Sequence, residues 1–231
     1  MKVEALVFDL GGTLMEYKGF PLYWGDFYEQ SFNNVNEELK LNISKEQIRT
    51  AINKLIEYNP RINPREIEYT ANHIFREAVK SWEMNPEIIN EIIICFFKPF
   101  RRNVAVFPDT IDILEHVRSK EYKIGVLTDV PTGMPGYLIR EDMAPIIHLV
   151  DDVVTSDECG FRKPNKAGIE ILSKKYGVPI QSIAFIGDEE KDVLTARNAG
   201  AIPIFLNRQQ VQRSTGECIQ ITTLAELKDF V

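Results

Sequence analysis

The chain is organised around residues 3–14, whose sequence is VEALVFDLGGTL. An apolar run ends at Asp9, and Gly11 and Gly12 follow it. The pattern predicts a buried strand that delivers one carboxylate to its C-terminal end, after which the chain turns sharply. Ligands bind at that edge in open parallel sheets, where a carboxylate can serve as a nucleophile or a metal ligand. An Asp that caps a strand in a turn fits the same residues, so the rest of the sequence must decide.

Composition and charge restrict the classes of function. The chain has 231 residues, 44% hydrophobic content, 26% charged content and a net charge of −7. These values are typical of a soluble globular protein, either one large domain or a domain with an insert. The negative charge argues against nucleic acid or an anionic membrane as the main partner. The longest apolar stretch, residues 92–97, is too short to span a bilayer, and nothing indicates the oligomeric state.

The three cysteines indicate a compartment. Cys95, Cys159 and Cys218 are widely spaced, odd in number and free of any C-x-x-C pattern. They are typical of buried thiols in a reducing environment. No early segment resembles a cleavable signal, because Glu4 and Asp9 interrupt the first apolar run. We therefore expect a cytoplasmic protein.

The chain changes character twice. Between about residues 20 and 100, capping patterns such as Ser44-Lys-Glu-Gln47 and Asn63-Pro64-Arg65-Glu66 recur and no strand is predicted. The predicted helices here are 22–40, 44–57, 64–82 and 86–98. From Pro108 onward strands and helices alternate, which implies a parallel sheet covered on both faces. The predicted strands are 122–127, 153–155, 182–186 and 202–206, and the predicted helices follow Asp109, Asn165, Asp188 and Thr223.

Chemically apt side chains follow four of the predicted strands. Asp9 follows the first, Thr128 the second, Lys163 lies in the loop after the third, and Asp188 follows the fourth, with Asp192 one helical turn later. Right-handed crossovers place all these ends on one side of the sheet. We therefore expect three carboxylates, one hydroxyl and one ammonium group to converge.

In order, these motifs are D-x-x-G-T-[LV], an apolar strand ending in Thr, K-P, and G-D-x-x-x-D. This order is similar to that of the haloacid dehalogenase-like hydrolase superfamily, and the helical insert resembles its C1-type cap. The resemblance implies an α/β fold, a Rossmann-like parallel sheet core with an inserted all-helical cap. It further implies a core of residues 1–18 and 102–231 and a cap of residues 19–101.

The resemblance also implies a function. It is that of a Mg²⁺-dependent phosphatase, which acts on a small phosphorylated metabolite through an aspartyl-phosphate on Asp9. The metal would be held by Asp9, the backbone carbonyl of Gly11 and Asp188. The charges of these side chains are consistent with a bound metal. Three carboxylates and one ammonium group would together repel a phosphate dianion unless a hard divalent cation were also bound.

The other motif residues would hold the phosphoryl group. Thr128, Asp129, Lys163 and backbone N–H groups near Leu10, Asp129 and Val130 would bind its oxygens. Asp192 would position Lys163 or a metal-bound water. Many relatives carry Asn where this chain has Asp129, and its extra negative charge is unexplained at this point.

The chain departs from the family at Gly11, where phosphatases usually carry a second Asp that protonates the leaving group. One interpretation is a phosphatase that hydrolyses substrates with good leaving groups or takes the acid from the cap or the substrate. Another is a catalytically weak regulatory module that binds phosphate and metal. A third is a phosphonoacetaldehyde hydrolase-like enzyme that uses Lys45 or Lys54 as a Schiff base. A 2-haloacid dehalogenase also lacks the second Asp, but Gly187-Asp188 argues against that activity.

The cap offers further candidates. The aromatic segment 20–28 would either line the substrate entrance or, as we expect, pack inside the cap. Arg49, Arg61, Arg65 and Arg76 could read a second anionic group of the substrate, although most are expected to be solvated.

Overall fold

The computed structural model describes residues 3–21, 23–210, 216 and 218–230. The first predicted cap helix starts at Leu22, which lies outside the described residues. In chain order the strands are β1 (Ala5–Phe8), β2 (Met15–Tyr17), β3 (Val104–Val106), β4 (Lys123–Thr128), β5 (Asp152–Thr155), β6 (Ile183–Gly187), β7 (Ile202–Leu206) and β8 (Ile219–Ile221).

A six-stranded sheet forms the centre of the core, in the order β5-β4-β1-β6-β7-β8. Every neighbouring pair is parallel. The predicted strands are all present, so the Rossmann-like α/β class is confirmed. The short strands β2, β3 and β8 were missed, because three residues carry too little periodicity to stand out from a loop.

The helices cover both faces of this sheet. The α-helices are α1 (Tyr28–Glu38), α2 (Lys45–Glu57), α3 (Ala71–Ala78), α4 (Ile89–Phe97), α5 (Thr110–Ser119), α6 (Gly136–Asp142), α7 (Ser156–Cys159), α8 (Ala167–Tyr176) and α9 (Glu190–Ala199). Short 3₁₀ helices lie at Gly25–Phe27, Lys80–Trp82, Pro86–Ile88, Phe100–Asn103, Ile147–Leu149, Ile180–Ser182 and Leu224–Asp229. No helix among the described residues combines the length and the apolar character needed to cross a membrane.

Strand β1 is buried over its whole length. Its alternate side chains point to opposite faces of the sheet, as the period of two requires. Leu6 and Phe8 join a cluster that continues into the cap, whereas Ala5 and Val7 join a second cluster with residues of α8 and α9. Burial on both faces explains why the first apolar run is continuous.

The helical insert leaves and re-enters the core through an antiparallel pair of strands. Met15 of β2 pairs with Val106 of β3, and Tyr17 pairs with Val104. Helices α1 to α4 lie between these strands in the chain, with α1 against α4 and α2 against α3. The division into a core of 1–18 and 102–231 and a cap of 19–101 stays a prediction.

One predicted cap helix is wrong at its start. Helix α3 begins at Ala71 with Thr70 as its N-cap, and residues 64–70 are extended rather than helical. The Glu68 backbone N–H donates to the Gly160 carbonyl oxygen at 2.9 Å, and the Arg162 N–H donates to the Glu66 carbonyl oxygen at 2.6 Å. These long-range bonds outweigh the local helix-start pattern at Asn63-Pro64, because they satisfy the backbone against the core.

Other helix ends follow the sequence signals. Ser44 and Gln47 form the predicted capping box, and Gly200 ends α9 with a φ of 83°. Thr223 and Glu226 also form a capping box, but the segment after it is a 3₁₀ helix. Asp109 stands at the N-cap of α5 without capping it, since its carboxylate accepts from Arg208 and from the Leu224 N–H.

Candidate active site

The predicted side chains converge at the carboxyl edge of the sheet. Lys163 Nζ lies 2.6 Å from Asp9 Oδ1 and 2.6 Å from Asp192 Oδ1. Carboxylate oxygens of Asp9, Asp188 and Asp192 all lie within 4.8 Å of one another. Thr128, the last residue of β4, lines the same cavity as Asp9, Lys163 and Asp188. These groups come from distant parts of the chain and meet because the parallel strands end side by side.

Burial and neighbouring charges shift the pKa values of Asp9, Asp188 and Lys163. Burial raises the pKa of Asp9 to about 6, with Asp192 adding to the rise and Lys163 opposing it. Burial, followed by the charges of Asp9 and Asp192, raises the pKa of Asp188 to about 7. Burial opposes the positive charge of Lys163, but Asp192 and Asp9 outweigh it and raise its pKa well above the ordinary value. The cluster places three carboxylates around one ammonium group, and the raised pKa values of Asp9 and Asp188 follow from burial and from the repulsion between the carboxylates.

The turn after Asp9 is shaped to accept the Asp188 side chain. Gly12 has a φ of +82°, and a Cβ added there would lie 2.7 Å from Asp188 Cγ. Only glycine combines that backbone conformation with that close approach. The Thr13 hydroxyl, one residue later, donates to Asp188 Oδ1 at 3.4 Å. The second glycine of the opening motif is thus required by the carboxylate that it faces.

A hard divalent cation fits this set of donors. Mg²⁺ prefers oxygen ligands and is usually bound through one or two carboxylates together with water. Asp9 and Asp188 offer such carboxylates, and Gly11 lines the cavity beside them. The buried cluster of repelling acids would be stabilised by such an ion, since an added positive charge favours their ionised forms.

Asp192 links Lys163 to helix α9. One of its oxygens accepts from Lys163 Nζ, and the other accepts from the Glu189 N–H at 2.9 Å as part of the capping box of α9. Because the side chain is fully buried and bonded on both sides, it fixes the position of the ammonium group. This contact supports the predicted positioning of Lys163.

The charge of Asp129 is balanced by residues that the sequence analysis did not identify. Its Oδ2 lies 3.2 Å from Lys191 Nζ and 3.8 Å from Arg162 Nη2, and its Oδ1 accepts from the Lys163 N–H at 3.0 Å. Burial opposes ionisation, but Lys191 and Arg162 outweigh it and lower the pKa of Asp129. Lys191 lies between Asp188 and Asp192 in the fourth motif, so its position was a signal that could have been used.

One predicted phosphate donor is committed elsewhere. The Val130 N–H donates to Ser156 Oγ at 3.0 Å, so its binding of a phosphoryl oxygen stays a prediction that requires this bond to be exchanged. Ser156 opens α7, directly after β5, and its hydroxyl lies within reach because β4 and β5 are neighbours. No sequence pattern indicated this pairing.

A cavity of about 1220 Å³ lies between the site and the cap. Phe20, Trp24 and Tyr28 line it and also pack against cap aromatic rings, so the aromatic segment serves both of the roles considered for it. Arg61 and Arg65 also line it. The Arg61 guanidinium makes two hydrogen bonds to the Glu189 carboxylate, at 3.1 and 3.2 Å, and so joins cap to core beside Asp188.

The lysines considered as Schiff bases lie elsewhere. Lys45 and Lys54 are both on α2, and neither lines the cavity. A hydrogen bond to Glu57 raises the pKa of Lys54, whereas a Schiff-base amine needs a lowered pKa. This weighs against the phosphonoacetaldehyde hydrolase-like interpretation.

Comparison with known proteins agrees with the geometry. Residues 3–200 match the profile of a hydrolase family described as haloacid dehalogenase-like hydrolase. The glyceraldehyde 3-phosphate phosphatase of Methanothermobacter thermautotrophicus is 25% identical over 238 residues, which cover 99% of this chain and 100% of that protein.

Two solved structures share the fold. The HAD phosphatase from Thermococcus onnurineus superposes with a TM-score of 0.67 at 23% identity and covers 100% of this chain and 97% of its own. The 2-haloacid dehalogenase from Pseudomonas syringae pv. Tomato DC3000 superposes with a TM-score of 0.71 at 17% identity and covers 98% and 97%. At these identities the structures establish the architecture but not the activity, so the chemistry has to be argued from the site.

Proposed function

The chain belongs to the haloacid dehalogenase-like hydrolase family, and from that premise we propose that it is a Mg²⁺-dependent phosphatase acting on a small phosphorylated metabolite. The observation that carries the proposal is that Lys163 pairs with Asp9 and Asp192, and that Asp9, Lys163 and Asp188 line one cavity. The full-length similarity to a glyceraldehyde 3-phosphate phosphatase supports the same class of substrate.

In this proposal Asp9 is the nucleophile. Its carboxylate oxygen attacks phosphorus, the bond from phosphorus to the ester oxygen breaks, and an aspartyl-phosphate forms. Lys163 and Thr128 hold the phosphoryl oxygens, and the Lys163 charge favours the ionised form of Asp9. Water then attacks phosphorus, which releases inorganic phosphate and restores the Asp9 carboxylate.

The metal would be held by Asp9, Asp188 and the Gly11 carbonyl. When bound, Mg²⁺ would supply positive charge that offsets the carboxylates and the phosphoryl oxygens. The oxygen of the leaving group takes its proton from solvent, because glycine at position 11 has no acidic side chain. We place the reaction in the cytoplasm, which Cys95, Cys159 and Cys218 support, since none of them forms a disulfide.

The acidic cluster weighs against a dehalogenase. The substrate of that reaction carries a carboxylate, which in the absence of a cation would meet Asp188 and Asp192 beside the nucleophile. A regulatory module that binds phosphate without turnover remains the second candidate, and Gly11 is the observation that favours it.

The test is phosphate release from an aryl phosphate and a panel of metabolite phosphates, with and without Mg²⁺. We expect Mg²⁺-dependent release that falls to the background rate in Asp9→Asn, since the amide keeps the shape but is not a nucleophile. Asp112→Asn, an exposed carboxylate on α5, should retain wild-type activity. Activity that survives in Asp9→Asn would rule out the mechanism, and Mg²⁺-dependent phosphate binding without turnover of any substrate would favour the regulatory module.

A further inference from the structure

The charge of the cavity indicates what kind of group is esterified to the phosphate, an inference that rests on the proposed function. Ligand sites of about 300–1000 Å³ suffice for small molecules, and this cavity of about 1220 Å³ leaves ample space above Asp9 and Lys163. The organic part of the substrate must occupy that space, so the residues lining it select the leaving group.

The cations of the cavity are already paired. The cationic residues that line it are Arg61, Arg65, Arg162, Lys163, Lys191 and Arg208. Each forms an ion pair with at least one carboxylate of the protein. Arg208, for example, donates to both Asp109 oxygens at 2.9 Å, and its guanidinium lies 4.2 Å from the centre of the Phe107 ring. A carboxylate on the substrate would therefore have to share a cation with a carboxylate of the protein, as Asp129 and Glu189 share Lys191.

Two acids of the cavity wall have no cation at all. Glu16 and Glu66 line the cavity, and neither forms an ion pair with any residue in the part of the chain that the structure describes. Glu66 accepts a hydrogen bond from the Asn165 amide at 3.0 Å, which is a neutral donor. A second anion entering beside the phosphate would meet the negative charge of half-buried Glu16, whereas the charge of exposed Glu66 is screened by solvent and repels it more weakly.

The remaining wall is aromatic and rigid. Trp24 is stacked on Phe100 with ring centres 4.4 Å apart and planes 6° from parallel, and Tyr17 packs edge-on against Trp24 at 5.0 Å. Tyr28 adds a phenol oxygen that accepts from the Asn59 amide at 3.2 Å. Aromatic rings with a fixed orientation and one polar end suit uncharged groups with C–H faces and a few hydroxyls.

We propose that the leaving group is an uncharged polyol, sugar or aryl group held against this aromatic wall, and that phosphate esters carrying a carboxylate are poor substrates. The paired cations, the acids without a cation and the stacked rings all favour an uncharged leaving group over an anionic one. The inference concerns the charge of the substrate and is independent of its length.

The test uses two esters of equal carbon count, 2-hydroxyethyl phosphate and phosphoglycolate, whose leaving alcohols are similar. We expect kcat/KM to be at least tenfold higher for the neutral ester, with the ratio narrowing as salt screens the charges. The double variant Glu16→Gln and Glu66→Gln should also bring the kcat/KM values of the two esters closer together, by raising kcat/KM for phosphoglycolate. Equal or better use of phosphoglycolate by the wild-type protein would overturn the inference.

A binding measurement separates this inference from the proposed function. Calorimetric titration of 3-hydroxypropylphosphonate and 3-phosphonopropionate into the wild-type protein with Mg²⁺ reports relative affinity without turnover, because CH₂ replaces the ester oxygen of the two esters. Tighter binding of 3-hydroxypropylphosphonate is expected, by the same tenfold or more. Binding with this preference in a protein that hydrolyses neither ester would contradict only the phosphatase mechanism. Equal binding, a preference for 3-phosphonopropionate or no binding of either phosphonate would overturn the inference about charge.

Discussion

At position 11 this chain has glycine, where the resemblance to the family predicts a second Asp. Gly11 does not have a positive φ, and a Cβ added there would have no atom within 4 Å. The backbone therefore accepts a side chain, and the space for one is open. This contrasts with Gly12, where both the φ of +82° and the contact with Asp188 require glycine.

Gly11→Asp should therefore restore the missing general acid. General acid catalysis typically contributes about 10²–10⁴ in rate, and the gain should be largest for alkyl phosphates, whose leaving groups need a proton most. Steady-state kinetics on an alkyl and an aryl phosphate would measure it. Gly11→Asn is the control, since it fills the same space without an acidic proton. A gain of equal size in both variants, or none in either, would contradict this view of position 11.

At the scale of elements, the cap contacts the core through the extended segment 64–70. The Glu68 side chain is almost fully buried and pairs with Arg162 and Arg65, and it also accepts from Ser156 Oγ at 2.7 Å. Arg162 in turn contacts Asp129. Through Arg162, Glu68 therefore connects the cap to the phosphate side of the site. A buried charge network of this kind is costly to break at one member, since the partners remain buried.

Glu68→Ala should lower the free energy of unfolding by about 3–5 kcal/mol, because Arg162 would keep a buried charge with a weakened set of partners. Urea denaturation followed by circular dichroism would measure the change. Glu57→Ala is a matched control, since Glu57 is another cap acid that pairs with a cation three residues away but is 62% exposed. Its loss should cost about 1 kcal/mol or less. Similar losses in the two variants would show that the buried network contributes no special stability.

The same elements show what the sequence could and could not predict. Asp9, Thr128 and Asp188 were predictable because each ends an apolar run, and parallel strands must end together. The extended segment 64–70 was not predictable, because its local pattern favours a helix and only bonds to residues 160–162 decide otherwise. Arg162 was missed for a similar reason, since its partner Asp129 lies at another strand end, whereas Lys191 could have been found from its place in the fourth motif.

For the whole molecule, the acidic site links stability to pH and metal. Burial and neighbouring acids raise the pKa of Asp9 to about 6 and that of Asp188 to about 7. The folded protein without metal thus binds protons more tightly than the unfolded chain. Its stability therefore falls as pH rises from about 4 through these values. A cation that needs ionised ligands should reverse this trend.

Mg²⁺ should accordingly raise the Tm more at pH 8 than at pH 5.5, because both carboxylates are ionised only at the higher pH. Differential scanning calorimetry with EDTA or with saturating Mg²⁺ at the two pH values would measure the shifts. Asp188→Asn should abolish most of the shift at pH 8. A shift that is the same at both pH values, or that survives in Asp188→Asn, would contradict the assignment of these acids to a metal site.

In the proposed mechanism Asp9 carries the phosphoryl group during turnover. The most direct measurement is to quench the reaction in its steady state, reduce acyl phosphates with borohydride and map the product by peptide mass spectrometry. Borohydride converts an aspartyl-phosphate to homoserine. We expect homoserine at position 9 only when substrate and Mg²⁺ are both present. Modification at another carboxylate, or none while phosphate is being released, would contradict the account.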